Sequence, residues 1–514
     1  MRNATTSPPI ASIFLALVIS LAGFASVARA VDGPLTPAQS IAAFQLEPGL
    51  KIELVASEPD VISPVAIAFD ERGRMYVAEN RGYPIGPGTG NSPVGQIALL
   101  EDTDGDGKYD KRTTFADGLT FPNGVMCWKG GIYVTCAPTV YYFKDTNGDG
   151  VTDVKQIVFE GFQDLSTTQL RVSHPTLGID NWVYLTCGLT AGKISSPIYT
   201  NHSIVFANRI DFRFRPDEPI FEETAGTAQF GQTFDAFGRR FICSNRNHIQ
   251  QVMMQLNYLK RNPNFAFSDI VQDIPDHGPA GKVFPLSANI TTAASHTGFF
   301  TSACGVTIYN GTALPEKYRG NSFTCEPAGN LVHHDVLSSS NATFVAKRAY
   351  ETQEFLASPD NWFRPVNLAV GPDGALYVCD MYRKTIEHPE YLPEATRKIT
   401  DFESGKDKGR IYRITAADFS GRARHSVRAG AGISKDGAQG TDAPYHVDLD
   451  KAPVLKLCAE LNNPNSWWRM TAQRLLIERQ DKSAVPILKA LIAKGKTSAA
   501  RVHALRTLDG LGAL

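Results

Sequence analysis

The sequence predicts a mainly β protein, a six-bladed β-propeller followed by a short α-helical segment. A hairpin pattern, in which two apolar runs flank a tight turn, recurs six times between residues 63 and 383. Repeats of this kind cannot bury their own apolar faces, so they pack side by side in a ring. After residue 449 the apolar residues change to helical spacing, which predicts the helices. A β-sandwich or two separate β domains are alternatives, and the repeated hairpin weighs against both.

Residues 1–30 have the pattern of a signal peptide and stand outside the predicted fold. An apolar run extends from residue 10 to residue 24, and Ala28-Arg29-Ala30 has the small-x-small form of a cleavage site. A membrane anchor is the alternative, but the run is short for a span and no later stretch approaches one. We therefore expect an exported protein, periplasmic or extracellular, with no transmembrane span in the mature chain.

The propeller is predicted over residues 31–414. A short helix over 36–46 comes first. The six hairpins then span residues 63–80, 121–136, 174–187, 230–246, 304–326 and 364–380. A final strand over Gly409–Ile414 is expected to pair with a strand over Lys51–Ala56, so that both ends of the propeller meet in one blade.

The composition and the cysteines narrow the function classes. The 514-residue chain has a formal net charge of −1, so it lacks the basic field that a nucleic acid partner requires. Its eight cysteines form no CxxC or CxxCH motif, which excludes a zinc ribbon and a covalently bound haem in this chain. Cys304 could form a disulfide with Cys325 in one hairpin, and Cys136 with Cys187 in neighbouring blades. The alternative is that these residues are small buried thiols.

The C-terminal part of the sequence predicts a linker and then helices. Residues 415–449 are rich in Ala, Gly, Ser and Asp and show no apolar period. Residues 450–514 contain four amphipathic stretches, which we interpret as antiparallel helix pairs of the HEAT-repeat type. Two pairs make a short array, and such arrays need several repeats and a polar cap. We therefore expect a truncated array, or a partner that covers its apolar end.

Two acidic loops share one template, 43 residues apart along the chain. Their odd-position oxygen ligands suit a hard cation such as calcium, and a glycine permits the sharp turn. Neither loop has the bidentate glutamate at position twelve, so a structural calcium role is predicted; an acidic turn without metal is the alternative. The predicted ligands are Asp102, Asp104, Asp106 and Asp110 in the first loop, and Asp145, Asn147, Asp149 and Asp153 in the second.

The face on which the hairpins open is the predicted ligand-binding face. The inner strands begin there and the next strands end there, so their terminal residues form a polar rim around the channel. His174, expected beside Cys187, could act as a general base because imidazole titrates near neutrality; a structural histidine is the alternative. The predicted cofactor-binding residues on this rim are Asn80, Asn245, Arg364, Asp380 and Arg383. Each arginine could instead belong to an ion pair between blades.

Five stretches carry a resemblance to a known family: LEPGLKIELVASEPDVISPVAIAFDERGRMYVAEN, SHPTLGIDNWVYLTCG, FRPVNLAVGPDGALYVCDMYRKTIEHP, GRIYRI and NSWWRMTAQRLLIER. Together they resemble large exported proteins of planctomycete and verrucomicrobial bacteria called membrane-bound dehydrogenases. In that family a propeller related to the soluble glucose/sorbosone dehydrogenases precedes HEAT repeats, and a haem domain usually follows. This sequence lacks the haem motif and most of the array, so a separate cytochrome or other protein would accept electrons, with the helical end as its docking point.

The resemblance also implies a cofactor and a base. The related sugar dehydrogenases bind pyrroloquinoline quinone on the open face and use a histidine at a blade start, followed by a leucine and a D-G-x-L-Y turn. The segment from His174 to Tyr184 is similar but shorter, and Asn181 replaces the glycine. On this basis His174 is the expected base. No motif identifies the quinone-binding cations, so Arg364 and Arg383 are assigned by position.

Three functions follow as hypotheses. The first is an exported quinoprotein-type oxidoreductase for a sugar or polyol. The second is a non-catalytic, calcium-stabilised module in which the propeller and helices bind a glycan or a protein. The third is a hydrolase or lactonase, for which a cluster of carboxylate and amide groups in the channel would be needed; the candidates are Glu79, Asn80, Asn123 and Asn245. Fold alone does not decide among them.

Overall fold

The computed structural model describes residues 31–88, 90–164, 167–200, 203–206, 209–264, 266, 269–288, 296–419 and 447–514. The predicted signal peptide and most of the predicted linker lie outside these residues. Strands and helices are numbered below in chain order.

Six antiparallel sheets arranged in a ring confirm the six-bladed propeller. Blade 1 consists of β3 (Pro64–Phe69), β4 (Met75–Glu79), β5 (Gly95–Glu101) and β6 (Lys111–Leu119). Blade 2 consists of β7 (Gly124–Trp128), β8 (Gly131–Cys136), β9 (Thr139–Lys144), β10 (Val154–Phe162), β13 (Gly192–Ser195) and β14 (Ser203–Phe206). Blade 3 consists of β11 (Ser173–Leu177), β12 (Val183–Thr186), β15 (Asp211–Phe214) and β16 (Phe221–Thr224).

The remaining blades complete the ring. Blade 4 consists of β17 (Gln232–Phe234), β18 (Arg240–Ser244), β19 (Asn247–Val252) and β20 (Val271–Asp273). Blade 5 consists of β21 (Cys304–Ile308), β22 (Ser322–Glu326), β23 (Leu331–Ser340), β24 (Thr343–Arg348), β25 (Leu356–Ala357) and the early strand β1 (Gln45–Leu46). Blade 6 consists of β26 (Pro365–Val370), β27 (Leu376–Asp380), β28 (Arg410–Ala416) and β2 (Leu50–Ser57).

An aspartate closes the turn of four of the six hairpins. Asp70, for example, accepts hydrogen bonds from the backbone N–H groups of Arg72 and Arg74, both at 2.9 Å. This side-chain turn is why a short polar segment reverses the chain so sharply. The aspartates at the corresponding turns are Asp180, Asp235 and Asp373.

The ring closes through hydrogen bonds between its two ends, as the sequence predicts. In blade 6, β28 pairs with β27 on one side and with β2 on the other, and Ile414 lies opposite Ile52. Because the first and last strands of the ring share one sheet, neither leaves an exposed edge towards the other.

Seven α-helices lie among the described residues. Those within the propeller region are α1 (Pro37–Ala43), α2 (Leu256–Leu259) and α3 (Glu394–Ile399). The C-terminal group comprises α4 (Val454–Glu460), α5 (Ser466–Arg479), α6 (Val485–Lys494) and α7 (Ser498–Gly510), which share a core that includes Leu457, Leu476, Leu488 and Leu508. None of the described helices has both the length and the apolarity that a membrane span requires.

Helix α5 packs the C-terminal group against the turns of the hairpins. Asn465 Nδ2 donates to the backbone oxygens of Gly371 and Pro372, both at 3.0 Å. Gln473 Nε2 donates to Asn181 Oδ1 at 2.7 Å in blade 3. The helices therefore cover the turn side of the ring, called the lower face below. The opposite side, where the hairpins open, is called the upper face.

The eight cysteines are buried free thiols in this structure. Cys304 and Cys325 lie directly opposite each other on β21 and β22, as predicted from the hairpin. The arrangement favours the interpretation of the cysteines as small buried side chains that pack between blades.

Candidate functional site

Two separate cavities of the central channel are lined by residues that the structure describes. The upper pocket, about 90 Å³, lies at the upper face and is lined by the ends of the hairpins and the loops that follow them. The lower cavity, about 260 Å³, lies between the inner strands of all six blades and helices α5 and α7. Phe230 lines the upper pocket. Its ring packs against the imidazole of His174, which lines the lower cavity.

Three asparagines from different blades meet in the upper pocket. Asn80 follows β4 of blade 1, Asn123 precedes β7 of blade 2 and Asn245 follows β18 of blade 4. Asn80 Nδ2 donates to Asn123 Oδ1 at 3.0 Å, and Gln169 Nε2 donates to Asn245 Oδ1 at 3.2 Å. The pocket thus brings together two predicted site residues, Asn80 and Asn245, with the carboxamide groups of Asn123 and Gln169. This lining can both donate and accept hydrogen bonds.

A tyrosine and a histidine form a hydrogen-bonded pair in the same pocket. Tyr83 Oη lies 2.7 Å from His388 Nε2, and Thr168 Oγ1 lies 3.4 Å from His388 Nδ1. Because the Thr168 hydroxyl donates to Pro84 O at 2.9 Å, its oxygen is the acceptor for Nδ1–H. Nε2 therefore carries the lone pair and accepts the Tyr83 proton.

Burial fixes the charge of this pair. It lowers the pKa of His388 to about 4, against an opposing effect of Glu390, so the imidazole is neutral at pH 7. Burial also raises the pKa of Tyr83 well above its ordinary value. Glu387, which lines the pocket as well, has a pKa that burial raises and Arg364 partly restores. A neutral imidazole at neutral pH can accept a proton.

Tyr83, Thr168, Glu387 and His388 are not among the site residues predicted from the sequence. Tyr83 lies in the β4–β5 loop of blade 1, and Glu387 and His388 lie in the β27–β28 loop of blade 6. Thr168 lies between β10 and β11, whereas the predicted site residues came from the ends of the hairpins. A signal for two of them was present, because Glu387-His388-Pro389 ends one of the stretches that carry the family resemblance.

His174 lies away from the upper pocket. The β11–β12 register places Ser173 opposite Thr186 and shifts before Thr176, so His174 occupies a bulge with φ of +51°. The expected position beside Cys187 on the rim is therefore wrong, because the bulge turns the side chain towards the lower cavity.

The imidazole of His174 is buried and neutral. Its ring packs edge-on against Phe230 with centroids 4.4 Å apart, and Nδ1 lies 3.0 Å from Ser173 Oγ. Burial lowers the pKa of His174 to about 4, and the nearby Asn367 side chain offsets part of this shift. Among the described residues, Nε2 meets no partner in hydrogen-bond geometry.

The two predicted cofactor arginines lie in the wall behind the upper pocket. Arg364 donates from Nε to Arg383 O at 3.1 Å and from Nη1 to Pro327 O at 2.9 Å. Arg383 donates from Nη2 to Arg81 O at 3.2 Å, and from Nη1 to Tyr83 O. Both guanidinium groups thus hold the backbone of the loops that shape the pocket.

Asp380 lies in the same wall. Its Oδ1 accepts the backbone N–H groups of Arg364 at 2.7 Å and Tyr382 at 2.8 Å. Burial raises the pKa of Asp380 to about 7, although these bonds and Arg410 oppose the shift. Like the two arginines, this carboxyl group positions loops and does not line either cavity.

The residues that line the two cavities do not fit pyrroloquinoline quinone. This cofactor carries several carboxylates, which arginine and lysine bind best. No arginine or lysine is among the described residues that line the upper pocket, and its volume is far below that of typical cofactor sites. The lower cavity has Arg469, whose Nη1 already donates to Asn463 O and Pro464 O.

The first acidic loop brings three of its four predicted calcium ligands together. One oxygen from each of Asp102, Asp104 and Asp106 lies within 4.8 Å of the others. Asp110 instead accepts hydrogen bonds from Thr103 N and Oγ1, at 3.0 and 2.7 Å.

The second acidic loop repeats this hydrogen-bond pattern. Asp145 accepts from Gly150 N at 2.8 Å, as Asp102 accepts from Gly107 N at 2.9 Å. Asn147 and Asp149 each accept a backbone N–H two residues ahead. Asp153 accepts from Thr146 N and Oγ1. Calcium binding by the two loops remains a prediction.

Several solved structures are similar to this chain at the level of overall shape. The holo form of a pyranose dehydrogenase PQQ domain from Coprinopsis cinerea has 13% identity, with 72% of this chain and 97% of that chain covered and a TM-score of 0.40. The calcium structure of a Trichoderma reesei carbohydrate-active enzyme of family AA12 has 13% identity, with 73% and 97% covered and a TM-score of 0.41. A luciferin-regenerating enzyme has 10% identity, with 72% and 96% covered and a TM-score of 0.41.

Similarity at this level is not evidence of a shared activity. No curated protein matches the sequence. A family model does match, and it covers residues 36–418, which is the whole propeller from the first helix to just past β28. The chain therefore belongs to the family described as a domain of unknown function, DUF7133.

Proposed function

We propose that the chain is an exported oxidoreductase that binds a sugar or polyol in the upper pocket. The observation that carries the proposal is the neutral imidazole of His388, hydrogen-bonded to the Tyr83 hydroxyl in a pocket lined by carboxamides. Groups that both donate and accept hydrogen bonds suit a polyhydroxylated ligand. The volume of about 90 Å³ favours a small polyol, or one end of a sugar.

The residues of the pocket account for the proton half of the reaction, and the hydride of the carbinol carbon would pass to a separate two-electron acceptor. A ligand hydroxyl that donates to Tyr83 Oη would lose its proton as Tyr83 passes its own proton to His388 Nε2, 2.7 Å away. Thr168 holds the tautomer that leaves Nε2 free to accept. Asn80, Asn123 and Asn245 would orient the remaining hydroxyl groups.

The proposal is tested on the purified full chain with a panel of sugars and polyols. Dye-linked oxidation is measured with and without added pyrroloquinoline quinone and calcium, and binding is measured by calorimetry. Tyr83→Phe keeps the ring and removes only the hydroxyl group. We expect this variant to bind the ligand and to lose about 10²–10⁴-fold in kcat, the usual value of a positioned proton-transfer group. Oxidation at the wild-type rate by Tyr83→Phe would contradict the proposed proton path.

A second candidate function is a non-catalytic module that binds a glycan or a protein. This candidate is favoured by the lining of the upper pocket. Among the described residues, no arginine or lysine lines it that could bind the carboxylates of a quinone cofactor. In the same experiment, a ligand that binds in the calorimeter but is oxidised with none of the added acceptors would support this candidate over the first.

His174 stays a predicted base, and the ligand on which it would act would bind in the lower cavity. The support is the neutral imidazole, which lines that cavity and whose Nε2 has no hydrogen-bond partner among the described residues. We also propose that the two acidic loops bind calcium and stiffen the connections in blades 1 and 2.

A further inference from the structure

Three histidines and an aspartate meet between blades 4 and 5, apart from both cavities of the channel. His248 lies on β19, and His333 and Asp335 lie on β23. His277 belongs to the segment that follows β20. One potential ligand atom of each residue lies within 4.8 Å of the others. His248, His333 and Asp335 are buried, and His277 is half-buried.

The aspartate connects two of the imidazoles. Asp335 Oδ2 lies 2.8 Å from His248 Nε2, and Oδ1 lies 3.0 Å from His333 Nε2. The rings of His248 and His277 stack with their centroids 4.9 Å apart. Potential ligand atoms of the four side chains therefore converge on one small region.

Two further carboxylates from outside this group each hold one imidazole. Asp276 Oδ1 lies 2.9 Å from His277 Nδ1, and Glu354 Oε2 lies 2.6 Å from His333 Nδ1. A carboxylate on Nδ1 fixes the tautomer of His277, so the lone pair of its Nε2 is available. His333 Nε2 gains its lone pair when the proton that it shares with Asp335 leaves. This is the arrangement in which histidines bind metal ions in proteins.

The cluster contains buried nitrogens that protein groups leave unsatisfied. His277 Nε2 and His248 Nδ1 have no hydrogen-bond partner among the described residues. A buried polar atom without a partner is costly, and native structures have few of them. An ion at the centre would take the lone pair of His277 Nε2 and replace the protons between Asp335 and the other two imidazoles.

We propose that His248, His277, His333 and Asp335 bind a divalent transition-metal ion, zinc in the first instance. Three imidazole nitrogens and one carboxylate oxygen complete a tetrahedral zinc site. Nitrogen ligands distinguish this site from the all-oxygen acidic loops, which suit calcium. Because the four ligands leave no open position and come from two blades and a connecting segment, the ion is structural and joins blade 4 to blade 5.

The test measures the metal content of the full chain. The protein is loaded with zinc, dialysed and analysed by inductively coupled plasma mass spectrometry, and a second sample is loaded with cobalt for absorption spectroscopy. We expect a single bound zinc per chain and the visible bands of tetrahedral cobalt. His277→Gln removes the half-buried ligand, which lies outside the strands, and should abolish both signals. Glu354→Gln should weaken zinc affinity by about 10–100-fold.

His334→Gln is the matched control, because His334 is the next residue on β23 and contacts Asn321 and Glu47 instead of the cluster. It should retain the zinc. The proposal is overturned if the wild type retains neither metal, or if His277→Gln retains zinc as well as the wild type. Equal loss of zinc in His277→Gln and His334→Gln would also overturn it, since the ion would then depend on the fold and not on these ligands. Circular dichroism checks that each variant is folded.

Discussion

At the scale of the residue, burial and nearby charges together decide which side chains of this protein carry charge. Removal from water raises the free energy of the charged form, so a buried histidine or carboxyl becomes neutral unless charged partners outweigh this cost. His388 and His174 both have a pKa near 4 for this reason. In the carboxyl group of Glu326, beside the upper pocket, the same effect raises the pKa.

Glu326 gives a test of this effect. Burial raises its pKa to about 8, although Ser302 opposes the shift through hydrogen bonds from Oγ and N. The folded-state pKa therefore lies above the ordinary value of 4.5. The stability that this group contributes is fully present below that ordinary value and is lost as the pH rises through 8.

We expect Glu326→Gln to remove the loss of stability that accompanies the rise in pH, because the amide stays neutral. Between the two pKa values, the free energy of unfolding of the wild type should fall, relative to the variant, by about 1.4 kcal/mol per pH unit. Denaturant unfolding at a series of pH values measures it, with the exposed Glu316→Gln as the control. If the free energies of unfolding of wild type and Glu326→Gln change with pH in parallel, Glu326 is ionised in the folded protein.

At the scale of the element, the two acidic loops carry the calcium prediction. In the first loop, Asp104 and Asp106 each accept a backbone N–H and also approach Asp102. Asparagine at both positions keeps these acceptors and removes two charges. Calcium added to zinc-saturated protein should raise the melting temperature of the wild type. At a calcium concentration a hundredfold above Kd, each occupied site should add about 2.7 kcal/mol to the free energy of unfolding.

The variant with Asp104→Asn and Asp106→Asn should lose the part of this calcium-dependent stabilisation that the first loop contributes. Differential scanning calorimetry with and without calcium measures this, and the exposed Asp117→Asn serves as the control. If calcium leaves the melting temperature of the wild type unchanged, both loops are acidic turns without metal.

Helix α5 depends on a buried ion pair for its position on the lower face. Arg474 Nη2 lies 2.8 Å from Glu71 Oε2 in the first hairpin turn, and Nη1 lies 2.8 Å from Glu478 Oε1. Arg474→Met leaves both carboxylates buried without a cation, which should cost about 3–5 kcal/mol of stability. Adding Glu71→Gln to this variant should restore part of the loss, because one uncompensated charge is removed.

Denaturant unfolding of the two variants and hydrogen exchange in helices α5 to α7 measure this effect. An Arg474→Met variant as stable as the wild type, with unchanged exchange in the helices, would mean that the ion pair does not hold the helices on the ring.

At the scale of the whole molecule, the ring could be predicted because each hairpin is a local signal. Turn residues such as Asp70 and the alternating strands beside them lie within a few positions of one another, and the repeat multiplies the signal. The predicted pairing of β2 with β28 followed from the need to close a ring.

The candidate site was less predictable, because it depends on distant contacts. Tyr83, Thr168 and His388 come from three connecting segments with no shared motif, and only the closed ring brings them together. The position of His174 depends on a bulge, which an alternating pattern does not reveal.

The most direct test of the proposed function compares the two neutral histidines. His388→Gln and His174→Gln each keep a polar side chain, and kcat/KM is measured for both with the polyol or sugar that the wild type oxidises best. The structure predicts a loss of about 10²–10⁴-fold in His388→Gln and a small effect in His174→Gln. The reverse result, a large loss only in His174→Gln, would contradict the assignment of the upper pocket and place the reaction in the lower cavity.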